Sequence, residues 1–279
     1  MNVIDAHQHF WCLGQGRYIW LTDDYGPINR SFDESDLVPL LKPTDVARTV
    51  LVQAENTYAD TVDMFAACDR WPVASAVVGW VPLDQPEEAA SALSRFTEDP
   101  RFVGVRHLIH EEPDEDWLIR PEVLDGLRRV SAAGLTFDVV AVTSRHLEHV
   151  STIANLVPQL TLVIDHLGAP PVANGGWEPW SSRIAAAASY PNVVAKISGL
   201  GTLAGRSEWN AEDLRPYVEY VRALFGAKRL MYGGDWPVNE LAGGYLKVWK
   251  ETAACVGTWS SAEQEDLFIN TARRIYKVR

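Results

Sequence analysis

The amino-acid sequence predicts an α/β protein that folds as a single distorted (β/α)8 barrel, a TIM barrel, with extended loops after its strands. Apolar strand-like segments alternate with helical segments along the 279 residues, and chemically reactive side chains follow several of the strands. In such barrels the loops at the carboxyl ends of the strands carry the active site. No linker rich in proline, glycine or serine divides the chain, so we predict one domain over residues 1–279.

The first predicted strand is the stretch 3–9, where apolar residues lead into His7 and His9. Short apolar runs predict seven more strands, and the last of them stops at a glycine pair followed by Asp235. The predicted strands cover residues 3–9, 47–54, 73–82, 102–107, 135–141, 161–166, 192–197 and 229–235.

Helical spacing of apolar residues separates these strands. Pro86 and the two glutamates after it are typical of the first turn of a helix, so one predicted helix begins at Pro86. The irregular stretch 12–35 contains Tyr18, Trp20 and Tyr25 and directly follows Trp11, and we interpret this aromatic stretch as a wall over the barrel mouth. The predicted helices cover residues 36–41, 60–70, 86–96, 121–133, 144–156, 178–190, 211–225, 244–254 and 261–276.

The charge, the cysteine content and the length of the apolar runs limit the classes of protein to which this chain can belong. With 25 basic and 37 acidic residues the net charge is -12, which argues against nucleic acid or an anionic membrane as the main partner. The three cysteines, Cys12, Cys68 and Cys255, are scattered and suggest neither a disulfide framework nor a thiolate zinc site. No apolar run reaches the roughly 18 residues of a membrane span, and no basic leader precedes the first strand. We therefore expect a cytoplasmic protein.

Several candidate site residues fall at predicted strand ends. His7 and His9 lie on the same side of their strand, so both rings can reach one cation or one substrate, although a surface histidine pair is the competing interpretation. With His166 and Asp235 they supply donors suited to zinc or another borderline divalent ion. Without a metal, the same residues serve as hydrogen-bond donors and acid/base groups, and both alternatives stay open.

The remaining histidines are interpreted separately. His107 ends the fourth predicted strand, where barrel chemistry is placed. His146 and His149 lie three residues apart on a predicted helix, and we expect them on its solvated face. His110 lies in a loop and is left open.

Four motifs carry a resemblance to a known family, and shorter matches extend it over nearly the whole chain. They are DAHQHFW at 5–11, GVRH at 104–107, DHLG at 165–168 and GGDWP at 233–237. Together they resemble the amidohydrolase superfamily, most closely its branch of sugar-acid lactonases and more distantly the 2-pyrone-4,6-dicarboxylate lactonases.

The resemblance implies a metal centre with one divalent ion, zinc first, or none. Two-metal members carry a lysine or glutamate at strand four and a histidine at strand five. Here strand four ends in Arg106 and His107, and strand five contains Phe137 and Asp138, so a binuclear site is not expected.

The resemblance also implies roles for individual residues. Asp235 activates water, and His7, His9 and His166 hold the metal or the carbonyl oxygen. Arg106 and His107 hold the carbonyl or sugar hydroxyls, and Lys196 does likewise. An ion pair is the alternative for Arg106, and a solvated strand end for Lys196. Further candidates for sugar contact are Trp20, Glu55, Asn56 and Trp236, with packing as the alternative for the aromatic residues.

The resulting hypothesis is an enzyme that opens the cyclic ester of a six-carbon aldonic acid by water attack on the carbonyl. An L-fucono-1,5-lactone or L-rhamnono-lactone-like compound is the expected partner. A metal-dependent decarboxylase is the alternative, because Arg106 and Lys196 are available for a carboxylate. A catalytically silent sugar-acid binder is the third. The sequence is compatible with a homo-oligomer but specifies neither that state nor the sugar.

Overall fold

The structure, a computed structural model, describes residues 2–14, 16–206 and 208–278. Its eight parallel strands pair in chain order, which confirms the predicted α/β barrel class. They are β1 (Val3–Gln8), β2 (Val46–Val52), β3 (Ala74–Gly79), β4 (Phe102–His107), β5 (Thr136–Val139), β6 (Thr161–Ile164), β7 (Val193–Ile197) and β8 (Leu230–Tyr232).

The barrel closes between β1 and the segment that follows β8. Gln8 and Trp236 form a parallel bridge, and His9 N donates a hydrogen bond to Trp236 O at 2.7 Å. Asp235 N donates to His7 O at 2.8 Å. These main-chain bonds place the first strand and the Asp235 segment side by side, although they are 228 positions apart in the sequence.

Helices connect the strands on the outside. Most agree closely with the predicted ranges, because their apolar faces pack on the sheet and determine their length. They are α1 (Glu34–Leu41), α2 (Tyr58–Arg70), α3 (Pro86–Phe96), α4 (Pro121–Ala132), α5 (Ser144–Leu156), α6 (Trp180–Ala188), α7 (Leu200–Leu203), α8 (Ala211–Phe225), α9 (Tyr245–Cys255), α10 (Ser261–Glu265) and α11 (Thr271–Ile275). None of the helices in the described ranges is both long and apolar enough to cross a membrane.

Two strands end earlier than the sequence predicts. The sixth strand was expected to reach His166 and the eighth Asp235, but β6 stops at Ile164 and β8 at Tyr232. Beyond them the backbone turns sharply, and His166 and Asp235 take the left-handed φ values of 51° and 60°. Non-glycine residues rarely adopt this conformation, and such strain is concentrated at functional sites.

The prediction for His146 and His149 is wrong. Both are buried, with relative exposures of 4% and 1%, instead of lying on a solvated helix face. A short 3-10 turn at Trp117–Ile119 packs against α5, and His149 Nε2 lies 2.9 Å from Asp116 Oδ1. The long loop after β4 therefore covers this face of α5.

Candidate active site

A cavity of about 340 Å³ opens at the carboxyl ends of the strands, where the barrel fold places its chemistry. Its size is within the range of small-molecule sites. The walls combine aromatic side chains with a few polar groups. They are His9, Trp11, Trp20, Tyr25, Ala54, Arg106, Leu108, His110, Glu111, His166, Asp235 and Val238.

His7, His9 and Asp235 meet at the floor of this cavity. His7 Nε2 lies 3.1 Å from His9 Nε2, and Asp235 Oδ1 lies 3.6 Å and 3.5 Å from these two nitrogens. His9 Nδ1 donates to Val52 O at 2.7 Å, because a main-chain carbonyl can only accept. The other ring nitrogen, His9 Nε2, therefore carries no proton and presents a lone pair to the cavity.

His166 completes the cluster from the turn after β6. Its ring centroid lies 4.7 Å from that of His7, and its Nδ1 lies 2.8 Å from Ser198 Oγ. Gly199, at φ +65°, leaves the space that this arrangement needs. A Cβ at residue 199 would lie 2.6 Å from His166 Nδ1 and 3.2 Å from Asp235 Oδ2. The glycine after β7 thus allows the imidazole and the carboxylate to approach each other.

The Asp235 carboxyl is ionised at neutral pH. Burial alone would raise its pKa, but the imidazoles of His166, His9 and His7 outweigh burial and lower the pKa to about 2. Burial lowers the pKa of His9 below its ordinary value, and that of His7 well below it. A carboxylate surrounded by imidazole rings can bind a cation or accept a proton.

These donors fit a divalent metal. Ligand atoms of His7, His166 and Asp235 lie within 4.8 Å of one another, and His9 Nε2 adds a lone pair beside them. Buried imidazoles and a carboxylate are the ligands of catalytic zinc, and Val52 O orients His9 as outer partners orient zinc-binding histidines. The residues predicted for a metal therefore converge.

Arg106 connects the cavity to a buried layer of charge below it. Its Nη1 lies 3.1 Å from both His7 Nε2 and Asp165 Oδ2. Its Nε is buried without a hydrogen-bond partner in the described structure, while the side chain lines the cavity. The ion pair that the sequence analysis gave as the alternative is therefore present, with Asp165 as the partner, and the Arg106 side chain also borders the cavity.

Lys196 lies in that lower layer rather than in the cavity wall. It is fully buried, so the alternative of a solvated strand end is wrong. Its Nζ lies 2.6 Å from Asp138 Oδ2, 3.0 Å from Asp165 Oδ1 and 3.0 Å from His7 Nδ1. Because side chains alternate between the two faces of β7, the Lys196 side chain points into the interior of the closed barrel.

His107 is also placed behind the wall. Its ring stacks on Trp117 at 4.1 Å, and its Nδ1 accepts from Trp80 Nε1 at 3.1 Å. Its Nε2 then carries the proton and faces Glu112 Oε1 at 2.8 Å. His107 thereby fixes the loop that brings His110 to the cavity, and its assignment to catalysis stays a prediction.

Glu55, Asn56 and Trp236 surround the site without lining the cavity. Glu55 Oε1 accepts from Tyr18 N and fastens the first loop to the end of β2. Asn56 Oδ1 accepts from Leu108 N at 2.9 Å, and Trp236 is 1% exposed. Their assignment to sugar contact stays a prediction. Of the aromatic candidates, Trp20 does line the cavity, and its Nε1 donates to Ala54 O at 2.9 Å.

Sequence reasoning missed several residues of the site. Asp138, Asp165 and Ser198 support the histidines, and Glu111 lines the cavity. A signal was available for Asp165, which directly precedes His166 in a motif already singled out. Asp138 carried a weaker signal, since it lies inside a predicted apolar strand, where an unpaired charge is costly.

Comparisons with known proteins agree with this geometry. The family model for amidohydrolases matches residues 4–278. An L-fucono-1,5-lactonase of Burkholderia ambifaria is 39% identical over 240 residues, 86% of this chain and 82% of the relative. An L-fucono-1,5-lactonase of Burkholderia multivorans is 32% identical over 290 residues, 98% and 95% of the two chains. The crystal structure of a Burkholderia multivorans amidohydrolase with bound zinc matches with a TM-score of 0.91 at 29% identity, each chain covered in full.

Proposed function

This chain belongs to the amidohydrolase family, and from that membership we propose that it is a lactonase that hydrolyses a sugar aldonolactone to the aldonic acid. The observation that carries the proposal is the ionised Asp235 carboxylate, which faces three imidazoles in a cavity of sugar size that Arg106 also lines. The two L-fucono-1,5-lactonases similar to it support the same reaction class. An L-fucono-1,5-lactone or a similar 6-deoxy lactone is the proposed substrate.

The proposed reaction begins with the lactone in the cavity and its carbonyl oxygen toward Arg106. Arg106 lines the cavity, and its guanidinium would stabilise the negative charge that develops on that oxygen. Asp235 takes a proton from water as the water oxygen attacks the carbonyl carbon. The bond from the carbonyl carbon to the ring oxygen then breaks, and the proton that Asp235 took from water passes through His166, a cavity-lining imidazole, to that oxygen.

The apolar and the polar side chains of the cavity wall have different roles in binding the substrate. Trp20 and Tyr25 offer ring faces for the C–H side of a sugar, and Leu108 and Val238 exclude water beside them. His110 and Glu111 offer polar atoms to hydroxyl groups. The positions of these groups relative to the substrate hydroxyls determine which lactone ring size and which sugar stereochemistry the site accepts.

His7, His166 and Asp235, with His9 beside them, are the residues that would hold a single divalent ion, zinc first. Such an ion polarises a carbonyl and makes water more acidic when it is bound. The same side chains bind, orient and move protons in the steps above, so catalysis without metal remains the alternative.

The decarboxylase alternative receives less support from the cavity. A carboxylated substrate needs cationic partners, and among the described residues that line the cavity Arg106 is the one arginine or lysine. Lys196 pairs with Asp138 and Asp165 below. Glu111 and Asp235 add negative charge to the walls, which suits a neutral lactone better than an anion.

A pH-indicator assay of proton release over fresh 1,4- and 1,5-aldonolactones tests the proposal, with metal-stripped and zinc-loaded protein side by side. We expect fast hydrolysis of 6-deoxy lactones and its loss in Asp235→Asn. Comparing the two preparations decides whether the reaction needs the metal. No hydrolysis of any lactone by either preparation would contradict the proposal, and carbon dioxide release from carboxylated substrates would then favour the decarboxylase. A cytoplasmic location and a homo-oligomer stay predictions.

A further inference from the structure

The turn after β4 brings a carboxylate to the edge of the cavity. Glu111 lines the cavity together with Leu108 and His110, and the residue is exposed to solvent. Its main-chain N donates a hydrogen bond to Leu108 O at 3.0 Å. A bond of 2.8 Å between His107 Nε2 and Glu112 Oε1 closes the turn. These bonds fix the backbone that carries Glu111.

The Glu111 carboxylate has no hydrogen bond and no ion pair with any of the described residues. The two other glutamates close to it are both engaged. Glu112 contacts the His107 ring, and Glu55 accepts a hydrogen bond from Tyr18 N. Partial burial and these two neighbouring glutamates raise the pKa of Glu111 from its ordinary value. Glu111 is thus an acceptor that remains available to a ligand in the cavity.

The other charges of the cavity wall leave it negative. Burial acts to raise the pKa of Asp235, but the imidazoles around this carboxyl lower the pKa to about 2, so Asp235 is ionised. Among the described residues that line the cavity, Arg106 is the one arginine or lysine. Its Nη1 lies 3.1 Å from Asp165 Oδ2, so a buried carboxylate already offsets its charge. A negatively charged ligand would therefore meet two carboxylates and one cation that is already paired.

A carboxylate at this place distinguishes ligands by their charge. Its two oxygens can accept hydrogen bonds from neighbouring hydroxyl groups of a neutral sugar lactone. An ionised carboxylate on the ligand has no proton to donate, and the like charges repel each other. Because Glu111 is exposed, dissolved salt screens this repulsion. The discrimination is therefore expected to depend on ionic strength.

We infer that Glu111 is a specificity-determining residue, which favours neutral polyhydroxylated lactones and excludes lactones that carry a carboxylate. The effect is on binding rather than on the chemical step, because Glu111 borders the edge of the cavity and Asp235 activates the water. The inference rests on the proposed function in taking a sugar lactone as the ligand.

The first test compares galactono-1,4-lactone with galactaro-1,4-lactone, which carries a carboxylate in place of the terminal hydroxymethyl group. KM is measured at about pH 7.5, where an exposed glutamate is ionised, or an inhibition constant where a lactone is not turned over. The variant is Glu111→Gln. The matched control is Glu112→Gln, which removes the same charge one residue away and keeps an acceptor for His107.

At an ionic strength of about 0.01 M we expect Glu111→Gln to improve the preference for the carboxylated lactone roughly 10-fold, mainly through KM. The control should change it less than about 3-fold, because Glu112 does not line the cavity. In about 1 M salt the gain should largely disappear. An unchanged preference in Glu111→Gln, an equal change in both variants, or a gain that persists in high salt would overturn the inference.

The second test needs no hydrolysis. Binding of galactonate, an anion, and of galactitol, a neutral polyol, to metal-stripped protein is followed by the fluorescence of Trp11 and Trp20, which line the cavity. We expect Glu111→Gln to bind galactonate roughly 10-fold more tightly than Glu112→Gln does, with no such gain for galactitol. Absence of that gain would overturn the inference. Failure of the lactonase proposal would be seen separately, as a wild type that hydrolyses no lactone.

Discussion

Two buried carboxylates at the junction of β1 and the segment after β8 have opposite ionisation behaviour. Asp5 is 0% exposed and Asp235 is 3% exposed. Burial raises the pKa of Asp5 to about 6, because the groups around it are neutral donors. Burial also acts to raise the pKa of Asp235, but three imidazoles outweigh it and the pKa falls to about 2.

The partners explain this difference. Asp5 accepts from Gly234 N at 2.8 Å and from Tyr245 Oη at 2.7 Å, with further bonds from His7 N and the Gln8 amide. These bonds tie β1 to the Asp235 segment. Asp235 instead lies beside the imidazole rings of His7 and His9. Burial therefore does not decide which carboxylate reacts. The hydrogen bonds of Asp5 hold in place the segment that carries Asp235.

The largest expected effect comes from Asp235→Asn. The amide keeps the shape but cannot take a proton from water, so turnover should fall roughly 10² to 10⁴-fold. Stopped-flow proton release with the best lactone of the panel measures this loss. The matched control is Asp5→Asn, where Gln8 can turn its amide toward the new donor, and we expect near-normal turnover there. Equal losses in the two variants would contradict the structural role of Asp5 and the catalytic role of Asp235.

Asp5→Ala should mainly affect stability. It leaves buried donors of Gly234, Tyr245 and His7 without an acceptor, and the free energy of unfolding should fall by about 3 kcal/mol or more. Urea unfolding followed by tryptophan fluorescence measures the change. A loss below about 0.5 kcal/mol would show that Asp5 does not hold the two segments together.

The raised pKa of Asp5 predicts a pH dependence of stability. Its folded value of about 6 lies above the ordinary value of 3.8, so the folded protein binds the extra proton between these pH values. The contribution of Asp5 to stability is therefore full below pH 4 and is lost as pH rises through about 6. Relative to Asp5→Asn, the wild type should lose roughly 3 kcal/mol between pH 4 and pH 7.

Unfolding both proteins in urea at several pH values gives this difference directly. Asp60, whose pKa burial also raises to about 6, is unchanged in both and cancels. A difference that grows with pH, or that does not change, would contradict the assignment to Asp5.

The smallest expected effect is that of Gly199→Ala. The added Cβ meets His166 Nδ1 at 2.6 Å and displaces the ring from Asp235. We expect turnover to fall about 10-fold, together with a modest loss of stability from the left-handed backbone at this position. Substrate panels and thermal unfolding measure the two effects. Unchanged turnover would show that the distance between His166 and Asp235 does not matter for the reaction.

Sequence patterns predicted the parts of this molecule that depend on short-range order. The period of the apolar residues located the strands and helices, and the position of polar residues at strand ends located His9, His166 and Asp235 in one cavity. The left-handed turns at His166 and Asp235 were not predicted, because tertiary packing at the barrel rim stabilises them.

Contacts between distant segments explain the remaining errors. His149 was expected in solvent, but Asp116, 33 residues earlier, covers it with its loop. Lys196 was expected at a strand end, but the stagger of a closed barrel places it below His7. A single sequence gives the face of a strand on which a side chain lies but not its depth in the barrel.

The most direct measurement is a carboxyl titration by ¹³C NMR of aspartate-labelled, metal-stripped protein, with Asp5→Asn and Asp235→Asn as assignment controls. At pH 5 we predict a protonated Asp5 and an ionised Asp235, with the Asp5 resonance moving near pH 6. The Asp235 resonance should keep its ionised position from pH 5 to pH 8. A protonated Asp235 at pH 5, or two carboxyls that titrate together, would contradict the account.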